Sequence, residues 1–462
     1  MSNAIMAAVA VNRFGIGARP GEVARVESSP HAWLAAQVAS PDAFMIAGGS
    51  LPTMADASNA LQTFLINRRE RREDKAENKD PAAMVPRPLK ELNEIAVAEI
   101  EARTAHALST DNGYAERLVT FWSNHFTVAA TKAQTIPFVG LFERQVIRAG
   151  QTGRFEDLLL AAVRHPCMLL YLDQAQSVGP DSAGAQSGKR GLNENLAREV
   201  LELHTVGPQA GYTQADVTEF ARALTGWTIA GPRTARFAPG ATQGEFLFLP
   251  PIHEPGSRTV LGRTYPDTGE GQARAILSDL ARHPATAQRI ATKLVRHVTR
   301  DDAPPTAVAR LERAFVQSGG ALPALHTALI DLPEAWEPQL HKFKTPQDFF
   351  ISALRLVGIS SVPQQGLFRG YQLLGQPPFR APSPKGWPDD TASWAGPDAI
   401  MKRLEWSQAL AERVDGSVRP EDLVSGALGP LLSAKTRQAV QRAETAKQGL
   451  TLALMSPEFQ RR

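Results

Sequence analysis

GLNENLAREVLELHTVG at Gly191–Gly207, followed by GYTQADVTEFARALTGW at Gly211–Trp227, is the stretch that decides the fold class. Apolar residues recur there every three or four positions, the spacing of helices that turn one face to a core. On a wheel advancing about 100° per residue, Glu194, Asn195, Arg198, Glu199 and Glu202 fall on one polar arc. Leu196, Ala197, Val200, Leu201 and Leu203 fill the opposite arc, and Asn193 and His204 stand in the middle of it. Gly207-Pro208 closes the first helix and Gly211 allows the return. Thr213 with Asp216 makes a capping-box-like start for the second helix, which Gly226 ends. Glu219 and Arg222 lie one turn apart on that second helix and are expected to face the first.

The same periodicity extends outward to Ala115–Phe126, Phe155–Leu172, Ala285–Val298 and Asp348–Leu356, and more weakly to Ala443–Met455, where Gly449 interrupts it. An all-α, multi-helix globular fold is therefore expected. We read 1–462 as one helical unit, with a central core at 105–300 and a C-terminal helical part at 301–462. The mixed-charge run RRERREDKAENKD at Arg68–Asp80 predicts a surface excursion within 60–90, ended by Pro81, Pro86 and Pro88. Phe246–Pro250 and Thr259–Leu261 predict two short strands joined across His253-Glu254-Pro255-Gly256, a small β-ribbon near 245–262. Leu374–Trp394 holds Pro377, Pro378, Pro382, Pro384 and Pro388 among Phe379, Trp387 and Trp394, which excludes helix and predicts a stiff, extended loop.

Composition removes several function classes. Fifty basic and 47 acidic side chains leave a net charge of only +3, without the concentrated basic stripe of a nucleic-acid binder. Cys167 is the single cysteine, so neither an intrachain disulfide nor a cysteine metal knuckle can form. No apolar run approaches the roughly 20 residues that span a bilayer. Ala4–Val11 is apolar but lacks the preceding charge of a secretory signal, so a cytoplasmic location is expected, or a periplasmic one if an export signal is missing from this sequence. Phosphate-binding glycine loops and the serine-hydrolase elbow are absent.

A polar group on a buried face must find partners or lose roughly 1–3 kcal/mol, so His204 and Asn193 either bond to loop backbone near the helix ends or face an internal polar site. Glu194–Arg198–Glu202 is an alternating ladder that stabilises an exposed helix. Alternatively, Glu199, Glu202 and His204 contribute to a cluster holding a divalent cation, although Glu202 and His204 stand about 200° apart on a regular helix. In FWSNHF, the rings of Phe121, Trp122 and Phe126 would keep His125 neutral and available as a base or ligand; equally, Asn124 and His125 cap their helix. His253 and Glu254 are presented by a rigid turn, and Arg263 with Tyr265 could bind an anion. His165 and His283, each before a proline, mark helix entries. Lys385, Trp387, Asp389 and Asp390 form either a lid over a carbohydrate or peptide, or a plain cover for the core.

With these stretches stand NRFGIGARPGE at Asn12–Glu22, FWSNHFTV at Phe121–Val128, RHPCMLLYLD at Arg164–Asp173 and HEPGSRTVLG at His253–Gly262. HPATAQRIATKLVRH at His283–His297, FKTPQDF at Phe343–Phe349 and LGQPPFRAPSPKGWPDD at Leu374–Asp390 complete the set. Together they resemble the bacterial domain-of-unknown-function family numbered 1800 over essentially the whole chain. The resemblance implies a mostly helical fold, supplies no reaction and no catalytic residues, and implies a sulfatase-like partner encoded nearby.

Two functional expectations follow. One is a hydrolase or lyase using general acid–base chemistry, with Glu199 and Glu202 as acid and base and His125, His204 and His253 assisting. Arg198 would orient an anionic group, and Asn193, Asn195, Trp122 and Trp387 would supply substrate contacts; a divalent metal stays open. The other is a non-catalytic partner or maturation factor for the sulfatase-like protein, docking through the proline-aromatic loop.

Overall fold

The computed structural model describes residues 1–46, 49–76, 89–187, 191–232, 234–414 and 419–462. Helix takes up 63% and strand 4%, so the fold is predominantly α. One apolar core runs from Ala7 to Phe459, with a small satellite around Val424, Leu428 and Val440. The expected excursion begins as the end of a helix, Met54–Ala76, where exposed Arg69 and Glu73 pair at 2.9 Å; Pro81, Pro86 and Pro88 lie outside the described residues. No described helix is long and apolar enough to cross a membrane.

Five helices position the site: α1 (Gly113–His125), α2 (Asn195–Glu199), α3 (Gln214–Leu224), α4 (Pro284–Val298) and α5 (Pro346–Leu356). α4 shows how the sequence builds them. Pro284 opens it with a pre-set φ, and the imidazole of His283 accepts the free N–H of Ala285 at 3.1 Å. Ala287, Ile290, Ala291, Leu294, Val295 and Val298 then bury one stripe against the core, each large side chain contributing about 1.5–3 kcal/mol. His165 caps the helix Pro166–Tyr171 in the same way, so the expected helix Phe155–Leu172 is in fact two, broken at His165.

The signature pair differs from its wheel in an informative way. α2 passes into a π-turn at Val200–His204, with Thr205 N–H reaching back five residues to Val200 O at 2.9 Å. That wider turn rotates everything after it. Arg198 keeps its bond to Glu194 at 3.0 Å, but Glu202 joins no ion pair among the described residues, so the expected three-member ladder stops at two. α3 begins with the capping box expected of Thr213 and Asp216. Its Glu219 and Arg222 pair at 2.7 Å, yet they face Arg258 and Glu254 rather than α2.

The β-structure also pairs differently from the expected ribbon. β1 (Trp227–Ile229) takes β2 (Phe246–Phe248) as its antiparallel partner, with Trp227 opposite Phe248. β3 (Arg258–Val260) pairs with β4 (Arg263–Tyr265), turning through Leu261 and Gly262, both at positive φ. The two stretches expected to pair with each other thus belong to separate two-stranded sheets. The proline-rich stretch is irregular from Gly375 to Asp390, but one helical turn, Thr391–Trp394, follows the last proline and is capped by Asp390.

Candidate functional site

A cleft of roughly 630 Å³ opens between the end of α1, one face of α4, the start of α5 and the loop 376–393. The loop is fastened to both helices. The side-chain amide of Asn124 meets the backbone of Trp387 as a strand neighbour would: Nδ2 donates to Trp387 O at 2.9 Å and Oδ1 accepts Trp387 N–H at 2.8 Å. Gly386, at φ +85°, passes so close that an added Cβ would lie 2.5 Å from Asn124 Oδ1. On the other side, Asp389 accepts a 2.9 Å bond from His297 Nδ1, and Lys342 donates to Asp389 O at 2.6 Å.

His125, the last residue of α1, is 2% exposed and ringed by Phe121, Trp122, Phe126 and Phe155. Its Nε2 lies 3.1 Å from the carbonyl oxygen of His204 and its Nδ1 2.9 Å from Lys293 Nζ. A carbonyl only accepts, so Nε2 carries the proton and Nδ1 offers its lone pair to Lys293. Burial, then the charge of Lys293, pushes this imidazole well below its usual range, so it is neutral at pH 7.

Lys293 lies one turn beyond Arg289 and one turn before Arg296 and His297, so α4 presents all four to the cleft. Burial, and after it Arg289, pushes the Lys293 ammonium down to about 7; Arg296 and Lys385 add to this and Asp389 opposes it. His297 is pushed down to about 4, again mainly by burial. Its Nδ1–H points at Asp389, which leaves the Nε2 lone pair without a partner. Burial alone would raise Asp389, but His297, Lys342 and Arg462 hold its carboxyl far below the ordinary range.

The charges lining the cleft are unevenly satisfied. Glu143 pairs with Arg103 at 3.0 Å and Arg148 at 3.2 Å. Asp348 pairs with Arg117 at 2.5 Å and Arg462 at 3.1 Å, and Asp389 with Lys342 at 3.2 Å. Asp390 spends its oxygens on Ser393 N and Oγ, at 2.8 and 3.1 Å. Among the described residues Arg289, Lys293, Arg296 and Lys385 have no carboxylate within 4 Å, and the buried Nε of Arg289 has no partner at all. Glu202 acts on Arg289 only at longer range.

The residues singled out from sequence are not gathered into one pocket. His125 and Trp387 line the cleft. His204 sits just behind His125, ring centroids 6.0 Å apart, fully buried, both ring nitrogens unpartnered, and pushed by burial to about 3. Trp122 is fully buried and donates to His326 Nε2 at 3.3 Å. Glu199 and Glu202 are half-buried outside the lining; burial, then Glu202, raises the carboxyl of Glu199. Arg198 faces Glu194 and Gln214 on the surface, Asn193 Oδ1 accepts the N–H of Asn195, and Asn195 is exposed. His253 belongs to another place, donating from Nδ1 to Thr225 O at 2.8 Å. Arg263 and Tyr265, considered for an anion, are both occupied by Asp279. Among the described residues no group of three or more His, Cys, Asp or Glu side chains is placed to hold a metal ion.

The family model for proteins of unknown function numbered 1800 matches residues 9–461. The chain belongs to the DUF1800 family. No curated protein and no solved structure matches it. For this DUF1800 chain the cleft itself must therefore supply the functional argument. Reading the sequence missed Arg289, Lys293, Arg296 and His297, although the signal was in view: cations and a histidine at i, i+4, i+7 and i+8 along RIATKLVRH.

Proposed function

We infer that the cleft is the active site of an enzyme that binds a small anionic substrate and works by general acid–base chemistry, in the hydrolase or lyase class. The observation that carries this reading is the charge imbalance: among the described residues every lining carboxylate is bonded, while four lining cations have no carboxylate within 4 Å. A partly buried ammonium with no counter-charge is costly to keep, and an anion delivered to the cleft relieves that cost. His297, oriented by Asp389 and with an unpartnered Nε2 that is closed to solvent in the cleft wall, is the candidate base. Lys293 is the candidate acid, since an ammonium that releases its proton near neutrality can pass it to a leaving group. His125 positions Lys293. Glu199, Glu202, His204 and His253 have no part in this arrangement.

The rival reading, a non-catalytic partner of a sulfatase-like protein docking through the proline-aromatic loop, draws less support, because that loop is turned inward to line the cleft. Titration calorimetry with inorganic sulfate and phosphate at low ionic strength tests the binding half of the proposal. Saturable binding that weakens about tenfold or more in Arg289→Ala is the expected result, in keeping with a loss of at least about 1.4 kcal/mol. No heat of binding for any small anion would overturn it. Among small phosphate, sulfate and carboxylate esters, turnover lost in His297→Ala with anion binding retained would support the acid–base half.

A further inference from the structure

Among the described residues Lys293 has one hydrogen bond, to His125 Nδ1 at 2.9 Å, and no carboxylate within 4 Å. A lysine serving only as a structural cation is ordinarily paired; this one is placed against an imidazole that cannot carry charge with it. His125 is fixed by its ring neighbours and by His204 O, so its Nδ1 lone pair holds one N–H of Lys293 in a defined direction. When the amine is neutral, that restraint leaves the Nζ lone pair directed elsewhere, and the open space beside it is the cleft that Lys293 lines. Arg289, Arg296 and Lys385 share this space, and His297, whose Nε2 is buried and unpartnered among the described residues, is one helical turn away. These are the parts of an amine nucleophile: a restrained nitrogen, cations around it and a nearby proton carrier.

We propose that Lys293 is a covalent nucleophile that condenses with the carbonyl group of a small anionic aldehyde or ketone, such as a 2-oxo acid, which the surrounding cations draw in. The proposal rests on the anion-binding reading, names its substrate class, and puts a nucleophile's role for Lys293 in place of the acid's. The Nζ lone pair attacks the carbonyl carbon and the carbonyl π pair moves to oxygen. One proton passes from nitrogen to that oxygen by way of His297 Nε2, giving the carbinolamine. A second proton, taken from solvent, lets the hydroxyl depart as water while the nitrogen lone pair closes the C=N bond, so that amine, carbonyl and one proton give a protonated imine and water with no change of oxidation state. The iminium keeps a single N–H, and His125 Nδ1 is already in place to accept it. The imidazole therefore serves the amine and the imine equally, which a carboxylate at that position would not do without trapping the ammonium.

The test is reductive trapping. Full-length protein is incubated with glyoxylate or with neutral acetaldehyde in the presence of sodium cyanoborohydride, and the adduct is read by intact mass and peptide mapping. A single adduct on Lys293 is expected, forming at least about tenfold faster with glyoxylate than with acetaldehyde and slowed by sulfate. It is expected to be absent from Lys293→Met, whose fold is verified by its thermal midpoint. Labelling spread over exposed lysines such as Lys90, or no adduct, overturns the nucleophile. Sulfate binding without a Lys293 adduct sinks this inference and leaves the anion reading standing. A Lys293 adduct formed equally fast with both probes, in a protein that binds no sulfate, supports the nucleophile and removes the anionic substrate class.

Discussion

Replacing Lys293 with methionine should make the protein more stable, an uncommon expectation for a truncated polar side chain in a cleft. The amine falls from 10.5 to about 7 on folding. At about 1.4 kcal/mol per pKa unit, keeping it charged in the fold costs on the order of 4–5 kcal/mol. Hydration of the open cleft returns part of this, and a gain of about 2–3 kcal/mol is expected for a side chain of similar shape without charge. The sign with pH follows from linkage. Between pH 7 and 10.5 the unfolded chain binds a proton that the folded chain does not, so wild-type stability rises across that window. The thioether introduced by Lys293→Met has nothing to titrate; the variant's advantage is therefore fully present below pH 7 and gone by about pH 10.5. Urea denaturation followed by tryptophan fluorescence at about pH 6.5, 8.5 and 10 measures the gap directly. A variant less stable than wild type at the lowest of these, or a gap that does not close as pH rises, would refute the account of an unpaired ammonium.

Other substitutions test the surroundings. Asp348→Ala strands the buried guanidinium groups of Arg117 and Arg462 and should cost about 3–5 kcal/mol, seen as a large fall in thermal midpoint. Gly386→Ala must place a Cβ against Asn124 at positive φ and should cost about 1–3 kcal/mol while altering the environment of Trp387, readable as a shift in tryptophan emission. Glu199→Gln, by contrast, removes a charge that has no side-chain hydrogen bond among the described residues and lies outside the cleft, so stability should change by less than about 0.5 kcal/mol and sulfate affinity by less than about twofold in calorimetry.

Most helices were legible because they carry their own period: α4 runs Pro284–Val298 against the expected Ala285–Val298, and Thr213 with Asp216 starts α3. Strand pairing was not, since a three-residue strand has too little pattern to name its partner; β2 found β1 across sixteen intervening residues, Ala230–Glu245. The π-turn at Val200–His204 also escapes a wheel drawn at constant pitch; His204 is still buried, as its place on the apolar arc implies, but Glu202 is left out of the expected ladder. His125 and Trp387 were reachable because aromatic and proline-rich surroundings mark them locally. The cationic stripe of α4 was equally visible but carried no local mark of a site, and only the packing of loop 376–393 over it turns that face into a wall.

Because the loop is riveted to α1 through Asn124 and to α4 through Asp389, the roof of the cleft cannot lift without breaking bonds at one of its two edges. Ligands would thus enter an aperture of fixed gauge, chosen by size before charge. Association should then follow a single exponential with a rate linear in ligand concentration, and the free protein should already wear the shape it has when loaded.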